Sequence, residues 1–149
     1  TSNRRLISNQ LVKGLDAQGN ETPNWDLNVL VGAGGILSSV TDLSRFALAQ
    51  FNDSDQILAL TRKPTFNIQA NKADMGLGWF IQKKIEEEWI MHNGGTGGYR
   101  SNMVLDIANK NGVIILSNIS AAHKNSMNID NLGTRLMGTL KKSHLMAQQ

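Results

Sequence analysis

The 149-residue sequence predicts an α+β fold in which an antiparallel sheet is packed by a C-terminal helix. Three observations carry this. Apolar residues recur at helical spacing over 40–51, alternate with period two between 77 and 107, and return to helical spacing after 125. A hydrophobic content of 40% against 18% charged residues places the chain among ordered globular proteins.

Residues 1–31 are polar and turn-rich, punctuated by Gly14, Asp16, Gly19, Asn20, Pro23 and Asn24. This extended segment has too few apolar residues for a core and must lie on something else. Gly32-Ala33-Gly34-Gly35 opens a helical segment over 32–64. Ser39-Val40-Thr41-Asp42 has the spacing of a capping hydroxyl and an acid. Val40, Leu43, Phe46, Ala47 and Phe51 follow on one face. A second short helix, Ile57 to Leu60, is capped by Asn52–Asp55 and stopped by Pro64.

Antiparallel strands are expected over 75–118. Leu77–Lys84, Glu87–His92 and Tyr99–Ile107 alternate as half-buried strands, the last setting Met103, Leu105 and Ile107 against Arg100, Asn102 and Asp106. Val113–Leu116 is continuously apolar, as in a central strand covered on both faces. Asn111-Gly112 reads as the hairpin turn before it. A C-terminal helix over 125–145 carries Ile129, Leu132, Leu136 and Leu140. Gly133 and Gly138 each weaken it by about 1 kcal/mol relative to Ala. Trp25, Trp79 and Trp89 read as core.

The net charge of +3 comes from scattered basic pairs, which argues against nucleic acid as a partner. With no cysteine, disulfide and thiolate-metal chemistry is excluded. His123 and His144 lack the partners of a metal site, so no metal or cofactor is expected. No apolar run approaches the roughly 20 residues of a membrane span.

The segment that stands apart is His92-Asn93-Gly94-Gly95-Thr96-Gly97-Gly98-Tyr99, with four glycines in eight residues. Glycine lets a ligand approach the backbone closely, as an oxyanion or carboxylate site requires. His92 adds a donor whose reference pKa is about 6.5. A mobile glycine-rich loop with an incidental histidine accounts for the composition equally well.

Taken in order, Gly32-Ala33-Gly34-Gly35-Ile36-Leu37-Ser38-Ser39 through Phe46, Met75-Gly76-Leu77-Gly78-Trp79, His92 through Ser101, and Gly112 through Asn118 resemble four motifs of one family. It is the serine β-lactamase-like superfamily of class C β-lactamases, D-alanyl-D-alanine carboxypeptidases, D-aminopeptidases and esterases. The resemblance implies the C-terminal part of a β-lactamase/transpeptidase-like fold and acyl transfer through a serine acyl-enzyme. On it, His92-Asn93-Gly94 is the H-x-G wall of the cleft, the Gly95 N–H is half the oxyanion hole, and His92 orients the substrate's polar end. Asn93, Gly94, Thr96 and Tyr99 would contact a small-molecule or peptide-like acyl substrate.

The family's S-x-x-K and Y-x-N motifs are absent from these 149 residues. In the family's order both precede the position of Thr1. The expectation is a C-terminal fragment, inactive alone, whose partner is the N-terminal part of the same protein. An unpaired strand edge would also favour a homo-oligomer. A non-catalytic binding or assembly module derived from the fold is the alternative. Family resemblance alone implies export to the periplasm or cell surface.

Overall fold

Period-two alternation builds the centre of the molecule. The computed structural model describes residues 9–70, 72–84 and 87–147. Six strands form one antiparallel meander in sequence order: β3 (Phe66–Gln69), β4 (Ala73–Met75), β5 (Phe80–Lys84), β6 (Glu87–Gly95), β7 (Arg100–Asp106) and β8 (Asn111–Ser117). A separate hairpin, β1 (Gly14–Leu15) with β2 (Glu21–Thr22), precedes them.

Register divides the sheet into two covered faces. Ile81 pairs with Ile90, and Ile90 with Leu105. These three residues share one face and are fully buried with Trp79 beneath α2 (Val40–Gln50), which contributes Ala47. Met91 pairs with Val104, and Val104 with Val113. Val104 and Val113 form the opposite face with Trp89, beneath Met137 of the C-terminal helix α4 (Asn128–Ala147). Full burial of such a side chain contributes about 1.5–3 kcal/mol.

Local chemistry sets the helix starts. Ser39 Oγ accepts from the Asp42 N–H at 3.1 Å to cap α2. Asp55 caps α3 (Gln56–Thr61) by accepting from the Ile57 and Leu58 N–H groups. Gly32–Gly34 lie in a single helical turn, α1 (Val31–Gly34).

Several expectations are corrected. The alternation around Leu77 starts a strand only at Phe80, because Gly78 takes φ +82° and Leu77 stays exposed. β3 and β4 were not expected; they span only four and three residues, and the apolar Phe66 and Ile68 of β3 stay exposed. Asn111 and Gly112 lie in β8, paired with Asp106 and Leu105, and the turn falls at residues 107–110. There Asp106 accepts from the Asn109 N–H and side-chain amide, while Lys110 takes the positive φ. β8 is an edge strand of the sheet among the described residues, not a central one. Trp79 and Trp89 are core, whereas Trp25 is 52% exposed.

The C-terminal helix is also rotated from the expected orientation. It buries Asp130, Gly133 and Met137, and leaves Leu132, Leu136 and Leu140 38–44% exposed. Gly133 explains the rotation. A Cβ there would collide with Asn102 Oδ1, so glycine lets the helix approach β7. Gly138 has no such neighbour.

On the outer strands, buried Asp74 pairs with Lys83 and accepts from Asn67 Nδ2 at 2.6 Å. The hydrogen bond from Lys83, then that from Asn67, holds the Asp74 carboxyl below its usual range, and Asp74 raises Lys83. Asp74 therefore stabilises the fold fully above the ordinary carboxylate pKa of about 3.9, and loses that effect as pH falls through its lower folded value. Lys83 contributes below the ordinary lysine value and loses its effect as pH rises through its higher folded one. Asp74→Asn is expected to flatten the decline of the urea midpoint below pH 4; an unchanged acid limb would show that other groups set it.

Candidate active-site wall

β5 ends its pairing with β6 at Phe80 opposite Met91, yet β6 continues through His92, Asn93, Gly94 and Gly95. These four residues pair only with β7 among the described residues, opposite Met103, Asn102, Ser101 and Arg100. Their outer edge is thus open. By the alternation of a β-ladder, every second residue there directs its N–H and C=O outward. His92 is exposed on this edge, its ring stacked on Phe80 with centroids 5.6 Å apart and planes inclined by 30°.

A Cβ on any glycine of the loop would meet a close neighbour. A Cβ on Gly94 would lie 2.9 Å from Ser101 Oγ. On Gly95 it would lie 2.5 Å from Ala121 Cβ and 3.2 Å from Arg100 Nη1. On Gly97 it would lie 2.5 Å from Trp25 Nε1, and on Gly98 2.9 Å from Gly14 Cα. The turn is closed by the Thr96 N–H donating to the Tyr99 carbonyl at 2.9 Å, and the Ala121 N–H donates to the Thr96 carbonyl at 3.0 Å. Close packing against the Ala121 methyl and the Gly14 backbone requires glycine at 95 and 98, whereas at 94 and 97 the neighbour is a side chain that can turn.

The N-terminal hairpin lies on this loop, as its composition required. The Leu15 N–H donates to the Asn118 carbonyl at 2.9 Å. Tyr99 Oη donates to the Val12 carbonyl at 2.6 Å, and Asn118 Nδ2 to that of Lys13 at 3.0 Å.

The structure therefore sets His92, Gly94 and Gly95 along the open end of β6, with Thr96 in the turn that follows, its N–H and C=O engaged by Tyr99 and Ala121. It places two other expected contact residues differently: the Tyr99 hydroxyl is engaged by Val12, and the Asn93 side chain turns toward α4. There Asp130 Oδ1 accepts from Asn93 Nδ2 at 3.1 Å and Asn102 Nδ2 at 2.9 Å. Asp130 Oδ2 pairs with Arg100 Nη2, a contact in which the two side chains are 12% and 10% exposed.

Sequence reading missed this cluster. The alternation of Arg100, Asn102 and Asp106 resembles a solvated face, but Asn102 and Asp106 are buried. The available signal was an acid in the first turn of a helix, where the dipole favours negative charge.

The family model described as Beta-lactamase matches residues 4–132. The chain belongs to the beta-lactamase family. It is 33% identical over 97 residues to penicillin-binding protein 4* of Bacillus subtilis (strain 168), a stretch that is 62% of this chain and 21% of that protein. Its fold matches a crystal structure of a beta-lactamase/D-alanine carboxypeptidase from Pseudomonas syringae with TM-score 0.70 at 17% identity. That match covers 83% of this chain and 44% of the solved one. The beta-lactamase-family chain thus spans about a fifth of the first relative's length and less than half of the second's. Its fold is beta-lactamase-like.

Proposed function

We propose that this chain forms one wall of a serine acyl-transfer site whose nucleophile lies on polypeptide outside these 149 residues. The observation that carries the reading is the open β6 edge from His92 to Gly95, in a chain of the beta-lactamase family. In this reading the Gly95 N–H is one of two oxyanion donors. Loss of such a donor costs about 2.7–4 kcal/mol in other hydrolases. His92 faces the polar end of the substrate, and Gly94 and Thr96 complete the wall. The substrate class is an ester, a β-lactam or a D-amino-acid amide, attacked by a serine of an S-x-x-K motif.

Uncovered apolar surface supports the reading. Ile36, Leu48, Ile57 and Leu60 are exposed around α2 and α3, and Leu132, Leu136 and Leu140 form an exposed stripe on α4. Such an extent of apolar surface implies a covering partner. The remainder of a β-lactamase-like fold is that partner in this proposal. The free edge of β8 offers a second route, strand pairing with that remainder or with another copy. No helix among the described residues is long and apolar enough to cross a membrane. Export to the periplasm or cell surface is part of the proposal, on family resemblance.

The absence of S-x-x-K and Y-x-N favours one second reading, a non-catalytic binding module of the same fold. The coding sequence upstream of Thr1 separates the two. A continuous reading frame containing both motifs is expected. An initiator codon directly before Thr1 would favour the binding module.

A further inference from the structure

Beyond Met91 the β6 strand pairs with a neighbouring strand on one side only among the described residues, and a strand end held by a single ladder frays more readily than the sheet interior. The wall nevertheless requires a fixed amide at Gly95. The side chains that flank this amide converge on one atom group. Asn93, two residues before Gly95, and Asn102, its cross-strand partner, both donate to Asp130 Oδ1. Arg100 stands directly opposite Gly95 in the ladder, with Nη1 beside it and Nη2 on Asp130 Oδ2. Gly133 lets helix α4 come close enough for Asp130 to reach all three.

We propose that Asp130 is a positioning residue: through Asn93, Asn102 and Arg100 it locks the free end of β6 to helix α4 and sets the direction of the Gly95 N–H. A carboxylate suits this task because its two oxygens accept from several donors at once, and charge-assisted bonds are roughly twice as strong as neutral ones. The helix start adds a favourable field for the negative charge. The functional meaning of the clamp rests on the acyl-transfer reading of the β6 edge; the clamp itself does not.

The test is residue-resolved amide hydrogen exchange and ¹H–¹⁵N chemical shifts on the full chain. Asn93→Ala removes one arm without stranding a charge. It is expected to speed exchange at the ladder-bonded amides of Gly94 and Thr96 about tenfold and to move the signal of the outward-facing Gly95 amide, with exchange at Ile90 and Val104 changed less than about twofold. Asp130→Asn is expected to act at the same residues, and the double variant to exceed the larger single effect by no more than about twofold. Uniform acceleration across the sheet, additive effects of the two substitutions, or an unmoved Gly95 signal would each overturn the proposal. Because no nucleophile is needed, a failed clamp leaves the acyl-transfer reading standing. A failed acyl-transfer reading leaves the exchange pattern unchanged.

Discussion

Asp130→Ala is expected to lower the free energy of unfolding by about 3–5 kcal/mol, the range for breaking a buried ion pair by removing one partner. The substitution strands the Arg100 guanidinium at 12% side-chain exposure, with only the weakly accepting Met127 sulfur, 3.7 Å from Nη2, left of its side-chain partners among the described residues. Arg100 Nε already lacks a hydrogen-bond partner, and Asn93 and Asn102 would each lose the acceptor they share. Desolvation cost, more than lost attraction, sets the size. A domain of ordinary stability holds only about 5–15 kcal/mol in total, so the variant would be marginal. Urea unfolding followed by tryptophan fluorescence measures it, since Trp89 lies in the cluster under α4. A loss below about 1 kcal/mol would show that water reaches the pair.

Gly95→Ala is expected to be the second largest effect. The new methyl would stand 2.5 Å from Ala121 Cβ, which has no rotamer to move, and 3.2 Å from Arg100 Nη1. Either the loop over 118–127 yields or the β6 end shifts. Overpacking of this kind costs about 1–3 kcal/mol. Gly138→Ala is the control, because its new methyl would meet no atom within 4 Å and alanine favours the helix by about 1 kcal/mol. Thermal unfolding of both variants checks the contrast: Gly95→Ala should fall and Gly138→Ala should hold or rise. Equal behaviour would contradict the packing role assigned to Ala121.

The strands and helices that sequence reading located best are those whose pattern is local. Ser39 and Asp55 announce helix starts with their own side chains, and Ile81, Ile90 and Leu105 lie in alternating segments. What escaped depends on partners distant in sequence. The stripe Leu132, Leu136, Leu140 has the right period for the buried face of α4, yet Asp130, Gly133 and Met137 occupy it. Polar donors on β7 and the space that Gly133 leaves above Asn102 outweigh hydrophobic pattern there. Asn111-Gly112 has the composition of a tight turn, but the capping bonds of Asp106 to Asn109 move the turn upstream. At the candidate wall, the run of glycines was legible as unusual while its cause was not. At Gly95 and Gly98 the cause is packing by Ala121 and Gly14, residues that no short motif connects.

Covalent labelling separates a wall without a nucleophile from a complete acyl-transfer site. The purified chain is treated with a fluorescent penicillin and with an alkyl phosphonate probe, alone and together with a family segment carrying S-x-x-K and Y-x-N, and adducts are located by mass spectrometry. Alone, the chain is expected to take no adduct. In the mixture, label is expected on the serine of the added segment, and to fall when Gly95→Ala replaces the native chain. A specific covalent adduct on any serine of the chain by itself would show that the chain carries its own nucleophile.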